Sequence, residues 1–306
     1  MLTIFSAPKP FEGQISVIQY NAMRSWAALD GAEVFVIGNE AGIAEAAAEV
    51  GVQHFPDVAR NEYGTPLLSS IFNTAREHST MPYMVYVNAD IILMSDLLPA
   101  ILRSGEAFER FLLIGRRWNL DVEELLPFEA NWESVLRERI RSDGVLHNPA
   151  GSDYFVYPHT MYREIPPFAL GRAGWDNWMI YESRHSRVPV IDATEAVTIV
   201  HQNHDYAHLP GGKPHYRLPE SEENVRLAGG SLTVFKLRDA SWELTPDRLR
   251  RKPLQWKSLR RRLEMDLIAR AGAGKTGRLA HFLFHPFEGV KYFLTRMKIF
   301  RGKDNS

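Results

Sequence analysis

Four short runs rich in β-branched and aromatic residues, LTIF (2–5), EVFVIG (33–38), VQHF (52–55) and YMVYV (83–87), are separated by segments with helical spacing. Ile15, Ile18, Ala22, Trp26 and Leu29 mark the first helical segment, and IAEAAAEVG, closed by Gly51, the second. The third, TPLLSSIFNTAREH, carries Thr65 as a cap and Pro66 at the first helical position. Strands alternating with helices predict βαβ units and an α/β fold, a mixed, mostly parallel sheet with helices on its faces. Beyond residue 95 the spacing predicts strands over 111–118, 151–158 and 196–204, and helices over 129–142 and 175–186. Past residue 247 it predicts two amphipathic helices and no strand.

With 306 residues, 45% of them apolar, the chain can bury a sizeable core. It has no cysteine, so a metal here would be held by Asp, Glu, His or backbone oxygen, and a reducing compartment fits. No stretch reaches the roughly 18 apolar residues of a membrane span, and the N-terminal run is too short for a secretion signal. The expectation is a cytoplasmic protein, soluble or peripheral on the inner face of the cell membrane. The formal net charge of −1 conceals a division: residues 1–247 carry 20 basic and 33 acidic side chains, residues 248–306 carry 16 and 4. We therefore expect a body over 1–247, with halves 1–94 and 95–247, and a basic helical tail over 248–306.

The run YMVYVNADIIL (83–93) is apolar except at Asn88 and Asp90. Ligands of open α/β sheets bind outside the carboxyl ends of the strands. Read as one extended strand, it points Asn88 and Asp90 the same way, two oxygens suited to a hard cation carrying phosphates. Both residues also cap turns, which is the plainer reading. Arg116, Arg117 and Asp153 sit at other strand ends, where they suit phosphate or acceptor contacts or ordinary ion pairs.

The order of these elements, with YGTPLLSSIFNTA ahead of NAD, resembles the nucleotide-binding half of GT-A glycosyltransferases, of the type that assembles bacterial glycans. GRAGWDNW (171–178) resembles the family's glycine- and tryptophan-containing segment ending in an acid, and HQNHDYAH (201–208) its late histidine. The resemblance covers residues 1–230. It implies a metal-dependent transferase moving a sugar from a nucleotide diphosphate sugar to a hydroxyl of a glycan or lipid-linked acceptor. Asp90, with His201 or His204, would hold Mn²⁺ or Mg²⁺; Pro8, Lys9, Asn61, Gly64, Thr65 and Asn88 would line the donor. Asp176 would be the base of an inverting reaction, and Arg116, Asp153 and Trp175 would meet the acceptor. Trp175 also suits the core, and the histidines also suit a zinc site with His208 if 201–208 were helical.

AGAGKTG (271–277) imitates a phosphate loop but has Ala269 where the first glycine belongs, and a helical pattern where the strand belongs. In the tail, Trp256, Leu259, Leu263 and Leu267, then Phe282 to Phe300, accompany Lys and Arg, as on a helix lying on an anionic membrane. Packing against the body, or a homodimer, is the alternative. Nucleic acid is not expected, because no recognition motif accompanies the charge. Two other functions share this pattern: a sugar-phosphate nucleotidyltransferase, whose basic glycine-rich first loop SAPKPFEG lacks, and a catalytically silent sugar-binding or membrane-scaffold protein.

Overall fold

A computed structural model describes residues 1–150, 152–204, 218–253 and 256–290. The first half runs β1 (Leu2–Ser6), α1 (Gly13–Ala27), β2 (Ala32–Ile37), α2 (Ile43–Val50), β3 (Gln53–Phe55), α3 (Leu68–His78), β4 (Tyr83–Val87), β5 (Ile91–Leu93) and α4 (Leu97–Ala107). It continues through β6 (Leu112–Ile114), β7 (Trp118–Leu120), α5 (Trp132–Asp143), β8 (Val145–Leu146), β9 (Tyr154–Pro158), α6 (Trp175–His185), β10 (Val190–Asp192) and β11 (Ile199–Gln202). The last elements are α7 (Pro219–Leu227), β12 (Trp242–Leu244), β13 (Leu249–Arg251), α8 (Leu259–Ala271) and α9 (Lys275–Phe284).

Nine strands form the main sheet in the order β13-β12-β10-β6-β9-β4-β1-β2-β3. β9 runs antiparallel between β4 and β6, and β13 is antiparallel at the edge; the other pairings are parallel. Alternate residues enter opposite cores, as a pleated strand requires. Phe5, Met84, Tyr86, Phe155 and Tyr157 face the layer of α3, α6 and α8, whereas Leu2, Ile4, Val85, Val87 and Val156 face α1, α2 and α4. The fold is thus mixed α/β, its mostly parallel sheet covered by helices on both faces.

A second sheet, β5-β11-β7-β8, packs on α5 through Ile92, Leu120, Leu136, Ile140 and Val200. Two runs that read as single strands are therefore each divided between two sheets. Residues 83–93 give β4 and β5, and residues 111–118 lie in β6 and the start of β7. At the first division the Ile91 amide donates to the Asn88 carbonyl at 3.1 Å, closing a turn, so Asn88 and Asp90 do not point the same way along one strand. The predicted cap at Thr65 is also displaced. Pro66 and Leu67 make isolated bridges to Arg60 and Ala169, and the helix begins only at Leu68.

Residues past 247 do include a strand, because β13 pairs with β12. Part of the basic run then works inside the fold. Arg250 pairs with Glu243, Lys252 with Asp192 at 2.6 Å, and Arg261 grips Asp239 with two bonds of 2.7 and 2.6 Å. Met265, Ile268 and Ala269 of α8 are buried in the main core, so this helix packs back on the body. The predicted apolar stretch beyond residue 290 lies outside the described residues.

Buried polar groups lock α1 to the junction of the sheets. Trp26 Nε1 donates to the Ile91 carbonyl at 2.9 Å, and the Leu93 amide donates to Ser25 Oγ at 3.1 Å. Gln202, fully buried, donates to the Ile18 carbonyl at 2.8 Å and the Asp90 carbonyl at 3.3 Å, and accepts from Asn21 at 3.0 Å. Gln202→Leu keeps the volume but strands these partners, each worth roughly 1–3 kcal/mol when buried unpaired. Urea unfolding should show a loss of about 2–4 kcal/mol.

Candidate functional site

The strand order β3-β2-β1-β4 reverses its direction of growth between β1 and β4, and crevices for ligands open beyond the carboxyl ends of strands at such points. Two segments emerge there, Ala7-Pro8-Lys9 after β1 and Asn88-Ala89-Asp90 after β4. The histidines arrive from the second sheet. β5 and β11 are antiparallel with Ile91 opposite His201, which brings His201 beside the residue preceding Ile91. His204 follows two residues after β11.

The result is a compact cluster. Asp90 Oδ2 lies 3.1 Å from His204 Nε2 and 3.5 Å from His201 Nε2, and one ligand atom from each residue falls within 4.8 Å of the others. Burial pushes the Asp90 carboxyl up, but the bonds and charges of the two histidines outweigh it and hold the group well below the usual carboxylate range. Among the described residues, five buried side-chain atoms lack a hydrogen-bond partner, and two belong here: Asp90 Oδ1 and His201 Nδ1. Buried polar atoms are rarely left so. One carboxylate and two imidazoles form a donor set that could hold a divalent cation. Because β11 is extended, the cluster is not a helical zinc motif, and His208 lies outside the described residues.

Around this cluster the groups interlock. Asn88 takes a different partner from Asp90: its Nδ2 donates to Asp153 Oδ1 at 3.0 Å, and its Oδ1 accepts from the Tyr86 hydroxyl at 3.3 Å. Arg117 completes that group with a 2.5 Å bond to Asp153 Oδ1. Lys9 lies within electrostatic reach of Asp90, although burial lowers its ammonium from the ordinary value. Its backbone is fixed by Gln19, which accepts from the Lys9 amide at 2.6 Å and donates to its carbonyl at 2.9 Å.

Asp176 sits in the first turn of α6, behind Gly174, whose φ of +109° suits glycine. Burial pushes its carboxyl up to about 6; backbone amides, chiefly that of Asn177, oppose the rise, and the Asp153 charge adds to it. A carboxylate held near neutrality in this way suits proton transfer.

Other predicted residues take structural places. Trp175 is only 7% exposed, edge-on to Tyr86 and tilted on Phe155, so its ring is packed in the core. Arg116 spends its guanidinium on the carbonyls of His147 and Leu146, at 2.5 and 3.3 Å, which ties β8 down; Arg117 is the arginine that bonds Asp153. Pro8 is buried. Asn61 shapes its own loop by accepting from the Tyr63 and Thr65 amides at 3.0 and 2.9 Å, with Gly64 at φ +80° between them.

That loop is tethered to α7. Glu220 accepts from Asn61 Nδ2 at 2.8 Å and from Arg172 Nε at 2.7 Å. Burial pushes the Glu220 carboxyl up, but bonds from Thr65, Asn61 and Arg172 leave it below its ordinary value. Neither Glu220 nor Tyr86 was marked by the sequence pattern. An acid in the first turn of a helix and a tyrosine in a buried strand each have common structural explanations.

No protein-family model and no curated protein sequence matches the chain. Solved structures similar in shape include residues 1–349 of S. aureus TarS in complex with UDP-GlcNAc, at 12% identity over 92% of this chain and 73% of that one, with a TM-score of 0.48. A second S. aureus TarS structure matches at 14% identity over 90% of this chain and 44% of that one, TM-score 0.48. A mycobacterial protein matches at 11% identity over 75% of each chain, TM-score 0.43.

The raised Asp176 carboxyl has a measurable consequence. The folded state holds this proton more tightly than the unfolded state, so its contribution is most favourable below the ordinary value of 3.8 and is lost as pH rises through about 6. Asp176→Asn should therefore melt close to wild type at pH 4 and above it at pH 8, as read by calorimetry across that range.

Proposed function

We propose that this chain is a GT-A-type glycosyltransferase that moves a sugar from a nucleotide diphosphate sugar to a hydroxyl of a glycan or lipid-linked acceptor. The observation that carries this reading is the Asp90-His201-His204 cluster at the point where the sheet's strand order reverses. There a divalent ion, when bound, would neutralise the leaving diphosphate. Two imidazoles beside one carboxylate favour Mn²⁺ over Mg²⁺, which prefers oxygen ligands and retains its water.

The remaining roles follow from charge and position. Lys9, beside Asp90, adds positive charge where a diphosphate would lie. Asn88 and Arg117 hold Asp153 in place, and Asp153 in turn acts electrostatically on Asp176. Asp176 is the base that takes the acceptor's proton; with its carboxyl near 6 it is ionised at neutral pH yet more basic than an ordinary aspartate. Asn61 and Thr65, braced by Glu220, hold the loop that would border the nucleotide.

Calorimetric titration with UDP-GlcNAc, UDP-glucose and GDP-mannose, with and without Mn²⁺, tests this reading. One donor should bind only with metal, and Asp90→Asn should weaken that binding by more than about 10-fold. Absence of metal-dependent binding for every nucleotide sugar overturns the proposal; retained affinity in Asp90→Asn overturns the ligand assignment.

The tail is read as resting on an anionic lipid surface. Support comes from large side chains left in solvent beside basic ones: Trp256 is 87% exposed, Leu283 75% and Phe287 90%. Among the described residues no helix is long and apolar enough to cross a membrane. Flotation with phosphatidylglycerol vesicles should recover the protein, phosphatidylcholine vesicles should not, and Leu283→Ser with Phe287→Ser should abolish recovery. Equal flotation by the double variant refutes the anchor. Deleting α8 is no test, because its inner face is part of the core.

A further inference from the structure

A second cluster of metal-ligand type lies away from the site above, in the hairpin of α8 and α9. Glu264, on α8, is buried, and its Oε1 lies 2.7 Å from His281 Nδ1 and 3.1 Å from His285 Nε2. His281 lies in the last turn of α9 and His285 is the residue that follows its end, with their rings stacked at 4.3 Å. One ligand atom from each of the three residues lies within 4.8 Å of the others.

The hydrogen-bond inventory of His281 is the decisive point. Its Nδ1 faces Glu264, while its Nε2 faces Glu288 Oε2 at 3.3 Å. A neutral imidazole has a single N–H and cannot satisfy a carboxylate oxygen on each side. With its N–H on Nε2, directed at Glu288, the Nδ1 lone pair of His281 faces Glu264. A divalent ion there would take the His281 Nδ1 and His285 Nε2 lone pairs together with a Glu264 oxygen. The outer Nε2–H of His281 is then left to donate to Glu288, the carboxylate–histidine–metal relation usual around bound zinc.

Distances agree with this. Ligand atoms about 2.1 Å from a tetrahedral zinc ion stand about 3.4 Å apart, so the present 2.7 and 3.1 Å separations would open by roughly 0.7 and 0.3 Å. We propose that Glu264, His281 and His285 form a zinc-binding site that staples α9 to α8, with Glu288 orienting His281. α8 is anchored in the main core through Met265 and Ile268. The staple therefore fixes where the chain leaves the body, immediately before the exposed Phe287.

The test uses the full-length protein, stripped with EDTA and titrated with Zn²⁺ in competition with a chromophoric chelator. The background is Asp90→Asn, so that the first cluster does not contribute. One Zn²⁺ per chain should bind at micromolar concentration or below and raise the melting temperature by a few degrees. Adding His281→Gln and His285→Gln should weaken binding by about 100-fold or more and abolish the thermal shift, with circular dichroism checking the fold. Glu264→Gln, nearly isosteric, should give the same loss should the double variant unfold. Co²⁺ should produce tetrahedral d–d absorption that these substitutions remove. Failure of the Asp90→Asn protein to bind Zn²⁺, or undiminished binding with both histidines and Glu264 substituted, overturns the proposal. Neither result bears on donor binding at the first cluster.

Discussion

The turn from Asn88 to Ile91 is the constraint on which the site depends. At Asn88 the chain leaves the nine-stranded sheet, and at Ile91 it enters the four-stranded one. A turn between two rigid sheets is held from both sides. β4 fixes its start, the pairing of β5 with β11 fixes its end, and Gln202 holds the Asp90 carbonyl from beneath. Asp90 consequently meets His201 and His204 with little freedom of its own. Because β5 pairs with β11, residues more than a hundred positions apart in the chain converge on one carboxylate oxygen.

Around that junction the fold accepts local costs that a purely structural design would avoid. Asp90 Oδ1 and His201 Nδ1 are buried without partners, and Asp176 is placed where burial opposes its charge. For Asp176, a neutral replacement removes that cost at neutral pH. The unpartnered atoms of Asp90 and His201, beyond the carboxyl end of β4 and near Lys9 after β1, separate this region from the many satisfied polar groups elsewhere in the molecule.

The basic C-terminal segment works in two directions. Arg250, Lys252 and Arg261 meet acids of the preceding body, so part of the charge contrast between the two regions is complementarity within one fold. The outer faces of α8 and α9 keep Leu263, Leu267, Leu279 and Leu283 in solvent. Anchored on the inside and apolar on the outside, the hairpin is a platform attached to the body, and the contacts of Glu264 with His281 and His285 hold its two helices together.

Much of this was legible in the amino-acid order. The β-rich runs and helical spacings of residues 1–90 specify parallel βαβ units, because period 2 and period 3.6 are local properties of the chain. The polar break in YMVYVNADIIL marked the end of a buried strand and drew attention to Asp90, whereas Asp176 and the late histidines were singled out by a resemblance in motif order. Tertiary structure alone decided what those residues do to one another. It turned Asn88 toward Asp153, buried Trp175 against Tyr86 and Phe155, gave the contact with Asp153 to Arg117 instead of Arg116, and divided two apparent strands between two sheets. The physical reason is range: periodicity reports which face of an element is buried, whereas the partner of a polar side chain depends on strand pairings that close over long stretches of chain.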